Sequence, residues 1–247
     1  MPENPTLHPW MLLQGQGDPL VYPPDYAPVH LLDVALHPPR TVLDVGCFTG
    51  AMGQAVKKRH PDCRVVGIEP RDSAAAIART RLDGVFNGLF EAFDFAAAGL
   101  DQGRLDTVIL ADVLEHMPNP WGALQTLRSH LAPTGQMLVS LPNIRNLYIL
   151  ANLADGGQFA YEPSGILDIT HLRFFTRRTM IAMFAQTGFV VQRLHVMPDG
   201  RCSSLLNDPT IKETGRVRVG RLQLDGLSPE DVLELAALQF FFAVTPA

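Results

Sequence analysis

Thr41-Val-Leu-Asp-Val-Gly-Cys-Phe-Thr-Gly50 is an apolar run that ends in a carboxylate-bearing strand and breaks into a glycine turn. About twenty residues on, a spacing expected of a strand–helix–strand unit, comes Val65-Val-Gly-Ile-Glu69-Pro70. A buried strand, a turn where backbone can approach a ligand, a helix and a second strand closing on an acid are the parts of a nucleoside pocket.

Glycine is needed where a chain turns sharply or lies against a ligand, because a Cβ would collide there. Gly46 and Gly50 supply that freedom, but Phe48 and Ala51 hold the second and third glycine positions of the dinucleotide fingerprint G-x-G-x-x-G, which argues against a nicotinamide cofactor. Glu69 suits a bidentate acceptor for two ribose hydroxyls, since an ionised carboxylate accepts stronger hydrogen bonds than a neutral group. Its other reading is a solvated acid at a strand end; the glycine turn at this spacing favours the ribose. Asp44 likewise has two readings, ligand contact or a bond to the amides that open the next helix.

Outward from this unit, short apolar runs alternate with helix-length stretches, as in a doubly wound α/β domain. Strands are expected over 41–45, 64–69, 84–86, 105–110, 136–141, 189–196 and 239–244. Helices are expected over 51–59, over 73–81 with Asp72 or Ser73 as cap, over 120–131 with Asn119 as cap and Pro120 in first position, and over 177–187 closed by Gly188. Ser228 and Pro229 open a further helix, with Asp231 completing a capping box. Pro133 to Gly135 reads as a turn, 143–170 as a loop region, and 197–227 carries no clear pattern. The proline-rich residues 1–40, with a helix-like stretch from Val29 to Leu36, read as an arm or lid over a domain spanning 41–247.

With 247 residues the chain can bury one large core, and 47% apolar residues with a net charge of -5 place it among folded domains rather than disordered chains. The acidic balance argues against a surface that grips nucleic acid. Arg173, Arg177 and Arg178, and Arg216, Arg218 and Arg221, form two local basic clusters, read mainly as solvated faces. Cys47, Cys63 and Cys202 are scattered, so neither a disulfide framework nor a zinc knuckle is indicated; no metal site is expected and a reducing compartment fits. No signal-peptide pattern and no membrane-span-length apolar run is present, which makes the cytoplasm the expected location. The oligomeric state is not legible.

Val42-Leu-Asp-Val-Gly-Cys-Phe-Thr-Gly50, Gly67-Ile-Glu-Pro70, Asp112-Val-Leu-Glu-His116 and Val139-Ser-Leu-Pro-Asn143, in that order, resemble the successive motifs of class I S-adenosylmethionine-dependent methyltransferases. The resemblance implies a Rossmann-like seven-stranded sheet, mostly parallel with an antiparallel last strand and helices on both faces. The cofactor, released as S-adenosylhomocysteine, would lie across the carboxyl ends of the first, second and fourth strands. By position, Asp44, Gly46 and Gly50 would cradle its methionine part, with Cys47 in the same turn. Glu69 would hold the ribose, Pro70 would lie beside the adenine, and Ala111 with Asp112 would line the site near the sulfonium. Phe48 departs from the family where many members have glycine. Leu89 departs where many have an acid that contacts the adenine amine.

Tyr161-Glu-Pro-Ser-Gly-Ile-Leu-Asp168-Ile-Thr-His171-Leu-Arg-Phe-Phe-Thr176 is similar to a segment of methyltransferases associated with bacterial cell-surface polysaccharide and glycosyltransfer pathways. The implied activity is O-methylation of a sugar or another small hydroxylated acceptor. His171 is the candidate general base, Asp168 its orienter or a ligand for a sugar hydroxyl, and Arg173 and His116 candidate substrate contacts. Each has a plainer alternative. His171, or Glu115 with His116, can simply bond loop backbone, and Trp121 can simply pack. A methyltransferase acting on protein or nucleic acid, or a non-catalytic binding module, are the rival functions.

Overall fold

A computed structural model describes residues 23–247 except residue 102. Residues 1–22, the first half of the expected arm, lie outside the described residues. A seven-stranded sheet is built from β1 (Thr41–Val45), β2 (Arg64–Glu69), β3 (Gly84–Asn87), β4 (Leu105–Ala111), β5 (Leu131–Pro142), β6 (Phe189–Pro198) and β9 (Ala237–Pro246), in the order β3-β2-β1-β4-β5-β9-β6. The first five strands pair in parallel. β9 enters antiparallel between β5 and β6. A separate hairpin pairs β7 (Val217–Val219) with β8 (Leu222–Leu224).

The strand period of two sorts side chains onto two cores. Phe240, Phe242 and Val244 of β9 join Leu43 and Val45 of β1 on one face. Phe241 and Ala243 join Val42 on the other, where Leu31 and Val34 of a short 3-10 turn (Val29–Val34) also pack. Such double-sided burial explains why β1 and β9 read as continuous apolar runs rather than alternating ones. The parallel order reverses between β1 and β4, so the crevice outside their carboxyl ends is where a ligand site belongs.

Five helices match the sequence reading closely: α1 (Ala51–Arg59), α2 (Asp72–Ala78), α3 (Pro120–His130), α5 (Arg177–Gln186) and α8 (Pro229–Leu235). A sixth, α4 (Leu147–Gly156), runs through the stretch expected to be loop, with Asn146 accepting from the amide of Tyr148 as its cap. The caps of α3 and α8 are as expected: Asn119 accepts from Gly122, and Ser228 and Asp231 form a capping box. The cap of α2 is not. The helix begins one residue early, at Asp72, and the N-cap is Arg71, which lends no side-chain bond because a guanidinium has no acceptor; its own amide donates to the Glu69 carboxylate. The residues of the expected Pro133–Gly135 turn instead fall inside β5, where the strand is irregular. Leu105 pairs with Leu131 and Thr107 with Gln136, so the residues between bulge out while the strand resumes. The unpatterned stretch 197–227 holds two short helices, α6 (Ser203–Asn207) and α7 (Pro209–Thr214), and the β7–β8 hairpin, which with α4 and α8 bury a third apolar cluster.

Gly67 lies in the middle of β2 because nothing larger fits beneath the turn. A Cβ there would sit 2.5 Å from Cys47 Sγ and 2.8 Å from Leu82 Cδ1. Gly67→Ala is therefore expected to lower stability by about 1–3 kcal/mol through overpacking, read as a fall in Tm of about 2–4 °C per kcal/mol for a chain of this size. An unchanged melting curve would show that the turn is free to move off the strand.

Candidate functional site

At the β1/β4 reversal a cavity of ≈ 760 Å³ opens, lined by the ends of β1, β2 and β4, the segment after β4 and the loop from Ser164 to His171. It brings together Asp44, Gly46, Cys47, Glu69, Pro70, Ala111, Asp112, His116, Asp168 and His171. Gly50 and Arg173 do not line it. Gly50 instead caps α1 in the left-handed conformation, φ 76°, where a Cβ would meet Ala78 Cα at 3.1 Å, so its task is helix packing. The Arg173 guanidinium is spent on two backbone carbonyls, Leu172 at 2.7 Å and Pro118 at 2.6 Å.

The glycine turn is stitched to β2. Cys47 donates its amide to the Ile68 carbonyl at 3.0 Å, and Phe48 donates to Glu69 Oε2 at 2.9 Å. The second carboxylate oxygen, Oε1, accepts from Arg71 at 2.9 Å. Glu69, 5% exposed, is thus fixed at the cavity edge, with an amide on each oxygen. Gly46 has φ 67°, and a Cβ on it would strike Val113 Cγ2 at 2.7 Å. Phe48 has a positive φ, 49°, a strain of about 1–2 kcal/mol for a residue with a Cβ. Asp112 is the other non-glycine residue with positive φ among the described residues, 55°; Ser140 holds it there, accepting from its amide at 3.0 Å and donating to Oδ1 at 2.7 Å. Such strain concentrates at ligand sites, where surrounding contacts over-determine the backbone.

Asp44 is buried, and its Oδ2 has no hydrogen-bond partner. Burial raises its carboxyl to about 7, partly opposed by the Gly53 amide and reinforced by Glu69. The expected alternative, an acid serving the first turn of α1, is thus partly realised, yet one oxygen remains unused. Burial also drives the Cys47 thiol well above its ordinary range, which rules it out as a thiolate nucleophile at neutral pH.

The far end of the cavity is formed by Glu115, His116 and His171. Backbone ties the two segments together: the Glu115 carbonyl accepts from Leu172 at 2.8 Å and Arg173 at 3.0 Å. His171 Nδ1 bonds the Ile166 carbonyl at 3.1 Å, not Asp168. Asp168 Oδ1 accepts from the Thr170 amide at 2.7 Å and hydroxyl at 2.6 Å, so the expected orienter shapes the loop and a carbonyl orients the imidazole. Burial lowers the His171 pKa and pushes that of His116 down to about 4. Both imidazoles are neutral at pH 7.

Sequence reasoning did not place Tyr26 at this site. Its segment is fastened by Arg81, which donates to the Pro24 carbonyl at 2.8 Å and to Asp25 at 2.7 Å, and by Thr49, so that Tyr26, Ala27 and Pro28 line the cavity. No local pattern around Tyr26 announces this, since the fastening comes from Thr49 in the glycine turn and Arg81 in the turn after α2. Leu89 does line the cavity, 63% exposed, and Glu91 two residues on lines it as well. Trp121 stacks obliquely near Phe175 and donates to Gln186 at 2.8 Å, a packing role away from the cavity lining.

Residues 26–194 match the family described as "Methyltransferase domain". The chain is 31% identical over 110 residues to a ubiquinone biosynthesis O-methyltransferase of Pseudomonas paraeruginosa, covering 42% of this chain and 45% of that protein. It is 31% identical over 113 residues to a trans-aconitate 2-methyltransferase of Methylobacterium nodulans, covering 46% of this chain and 42% of that one. It therefore spans less than half the length of these curated relatives. The structure resembles that of an S-adenosylmethionine-dependent methyltransferase from Mesorhizobium loti, with TM-score 0.56 and 15% identity over 90% of this chain and 100% of the other. At that identity the likeness shows the fold.

Proposed function

The chain belongs to the methyltransferase-domain family, and we propose that it transfers the methyl group of S-adenosylmethionine to a hydroxyl oxygen of a small acceptor, with a sugar the favoured class. The observation that carries this reading is the cavity itself. A rigid carboxylate and a buried, unsatisfied one stand at its β1–β2 end, and neutral imidazoles stand at its other end. Its volume is of the order expected for a small-molecule site, about 300–1,000 Å³.

The residues present suit the cofactor. Glu69 presents a carboxylate, fixed by two amides, to a vicinal pair of ribose hydroxyls. The unpaired oxygen of Asp44 offers a partner to the ammonium of the methionine part. Gly46 leaves the floor of the turn clear, and Pro70, with Leu89 and Glu91, forms the adenine side. When bound, the cofactor supplies a methyl group on a positively charged sulfur that departs neutral. What remains for the protein is alignment, exclusion of water and removal of the acceptor's proton.

That proton departs at the Glu115–His116–His171 end. The Ile166 carbonyl fixes the hydrogen of His171 on Nδ1, leaving Nε2 with a bare lone pair. Asp168 and Ser164 line the same end and provide polar groups for a hydroxylated acceptor. Two relatives with methyltransferase names, one an O-methyltransferase, agree with an oxygen nucleophile. The segment from residue 23 to residue 40 acts as the lid in this reading, with Tyr26 as its inner face.

The test is transfer of labelled methyl from S-adenosylmethionine to a panel of sugars, phenols, amines, peptides and RNA. Label on a small hydroxylated acceptor is expected. Label confined to protein or RNA, or tight cofactor binding with no transfer to anything, would overturn the reading. His171→Gln should lower kcat by about 100-fold or more, the usual worth of a positioned proton acceptor. Its affinity for S-adenosylhomocysteine, measured by calorimetry, should stay within threefold of the parent, on the order of 0.7 kcal/mol.

A further inference from the structure

Glu115, His116 and His171 each bring one ligating atom to a single point, all within 4.8 Å of one another. The Glu115 side chain is 1% exposed and neither carboxylate oxygen has a hydrogen-bond partner. An unpaired buried carboxylate is costly. The two imidazoles facing it offer no relief. The His171 hydrogen is committed to the Ile166 carbonyl. His116 Nδ1 faces the Thr170 carbonyl at 3.3 Å and Thr170 Oγ1 at 3.1 Å. The Thr170 hydroxyl already donates to Asp168, so both oxygens act as acceptors and the His116 hydrogen lies on Nδ1.

Both Nε2 atoms therefore carry lone pairs, and three acceptors share a buried corner that a cation would satisfy. A shared proton does not fit the geometry. His171 Nε2 and Glu115 Oε1 are 3.9 Å apart, too far for a hydrogen bond. That separation is close to what two ligands at about 2.0–2.2 Å on either side of a metal ion span. The Nδ1–H bonds to carbonyls are also the outer-shell arrangement that fixes metal-ligating histidines. We propose that Glu115, His116 and His171 bind one divalent transition-metal ion. Two imidazoles and a carboxylate favour zinc, iron, cobalt or manganese over magnesium or calcium.

Three protein ligands leave coordination positions open, and the group lines the cavity. Resting on the O-methylation reading above, those positions take the acceptor's hydroxyl oxygen. A bound oxygen loses its proton more readily. With the ion bound, His171 Nε2 serves as a ligand in place of the proton acceptor it is in the metal-free reading; the O–H proton passes to solvent, the oxygen forms its bond to the methyl carbon, the carbon–sulfur bond breaks and S-adenosylhomocysteine leaves neutral.

The full chain, stripped with chelator, is titrated calorimetrically with Zn²⁺, Co²⁺ and Mn²⁺ in turn. One ion per chain is expected for at least one of them, with affinity falling at least tenfold in Glu115→Gln. In the cobalt-loaded parent protein, proton NMR should show two exchangeable imidazole N–H signals shifted by the ion, a readout that needs no variant to fold. No heat with any of the three ions, or no shifted imidazole signals, overturns the site. A methyl-transfer rate unmoved by chelation overturns the role assigned to its open positions. S-adenosylhomocysteine is titrated into the same samples. Silence there with the ion bound counts against the proposed function and leaves the metal site standing.

Discussion

Glu69→Ala is expected to weaken binding of S-adenosylhomocysteine by at least 100-fold, the combined worth of two hydrogen bonds to a charged acceptor at about 1.5–3 kcal/mol each. The same change strips the acceptor from the amides of Phe48 and Arg71. Phe48 sits at φ 49°, a conformation it holds only while neighbouring bonds enforce it, so the turn should also loosen. Calorimetry with the demethylated cofactor reads the first effect and thermal melting the second. Glu69→Gln separates them: an amide keeps one acceptor oxygen for the backbone but presents an N–H where the ribose offers its own donors. An affinity for the cofactor product unchanged in both variants would remove Glu69 from the ribose site.

Asp44→Asn should have effects of opposite sign on stability and on binding. In the folded protein burial raises this carboxyl to about 7, whereas in the unfolded chain it titrates near its ordinary value of 3.8. Folding therefore favours the protonated form. The stability tied to this group is fully present below about pH 4 and is lost as pH climbs to about 7, on the order of 4 kcal/mol in total. Asparagine has no such titration, so the variant should melt above the parent at pH 8 and not at pH 4. Binding runs the other way. An ionised Asp44 attracts the ammonium of the methionine part, so in the parent protein affinity should rise with pH through about 7 and then level off. In Asp44→Asn it should be weak and flat across that range. Measuring melts and cofactor titrations on the same pH series gives both answers. If the variant binds as the parent does at pH 8, Asp44 serves only the Gly53 amide and the methionine part is held elsewhere.

Much of the architecture was legible along the chain because its causes are local. β1 ends where Gly46 permits a turn, and β2 follows at the distance one helix requires. Asn119 with Pro120, and Ser228 with Pro229, mark helix starts by capping chemistry that involves residues two or three apart. α4 is not legible although Asn146 caps it, because its apolar residues Leu147 and Ile149 pack into clusters from elsewhere in the fold and show no clear boundary on their own. The pieces in 197–227 are too short for periodicity to register. They are defined by the apolar cluster they share with α4 and α8.

The sequence by itself determined the strand–turn–strand unit, the doubly wound order and the residue types that gather at the cavity. These depend on periodicity, glycine freedom and capping, which act over a few residues. Only the tertiary structure decided which of those residues face inward. It turned Gly50 toward Ala78 and Arg173 toward Pro118, gave His171 the Ile166 carbonyl instead of Asp168, and set an unpaired Glu115 against two imidazoles. The reason is distance along the chain. The Glu115 carbonyl and the amides of Leu172 and Arg173 meet because the segment after β4 and the loop after α4 converge at the carboxyl end of the sheet, and no local pattern carries the partner of a hydrogen bond made that far away.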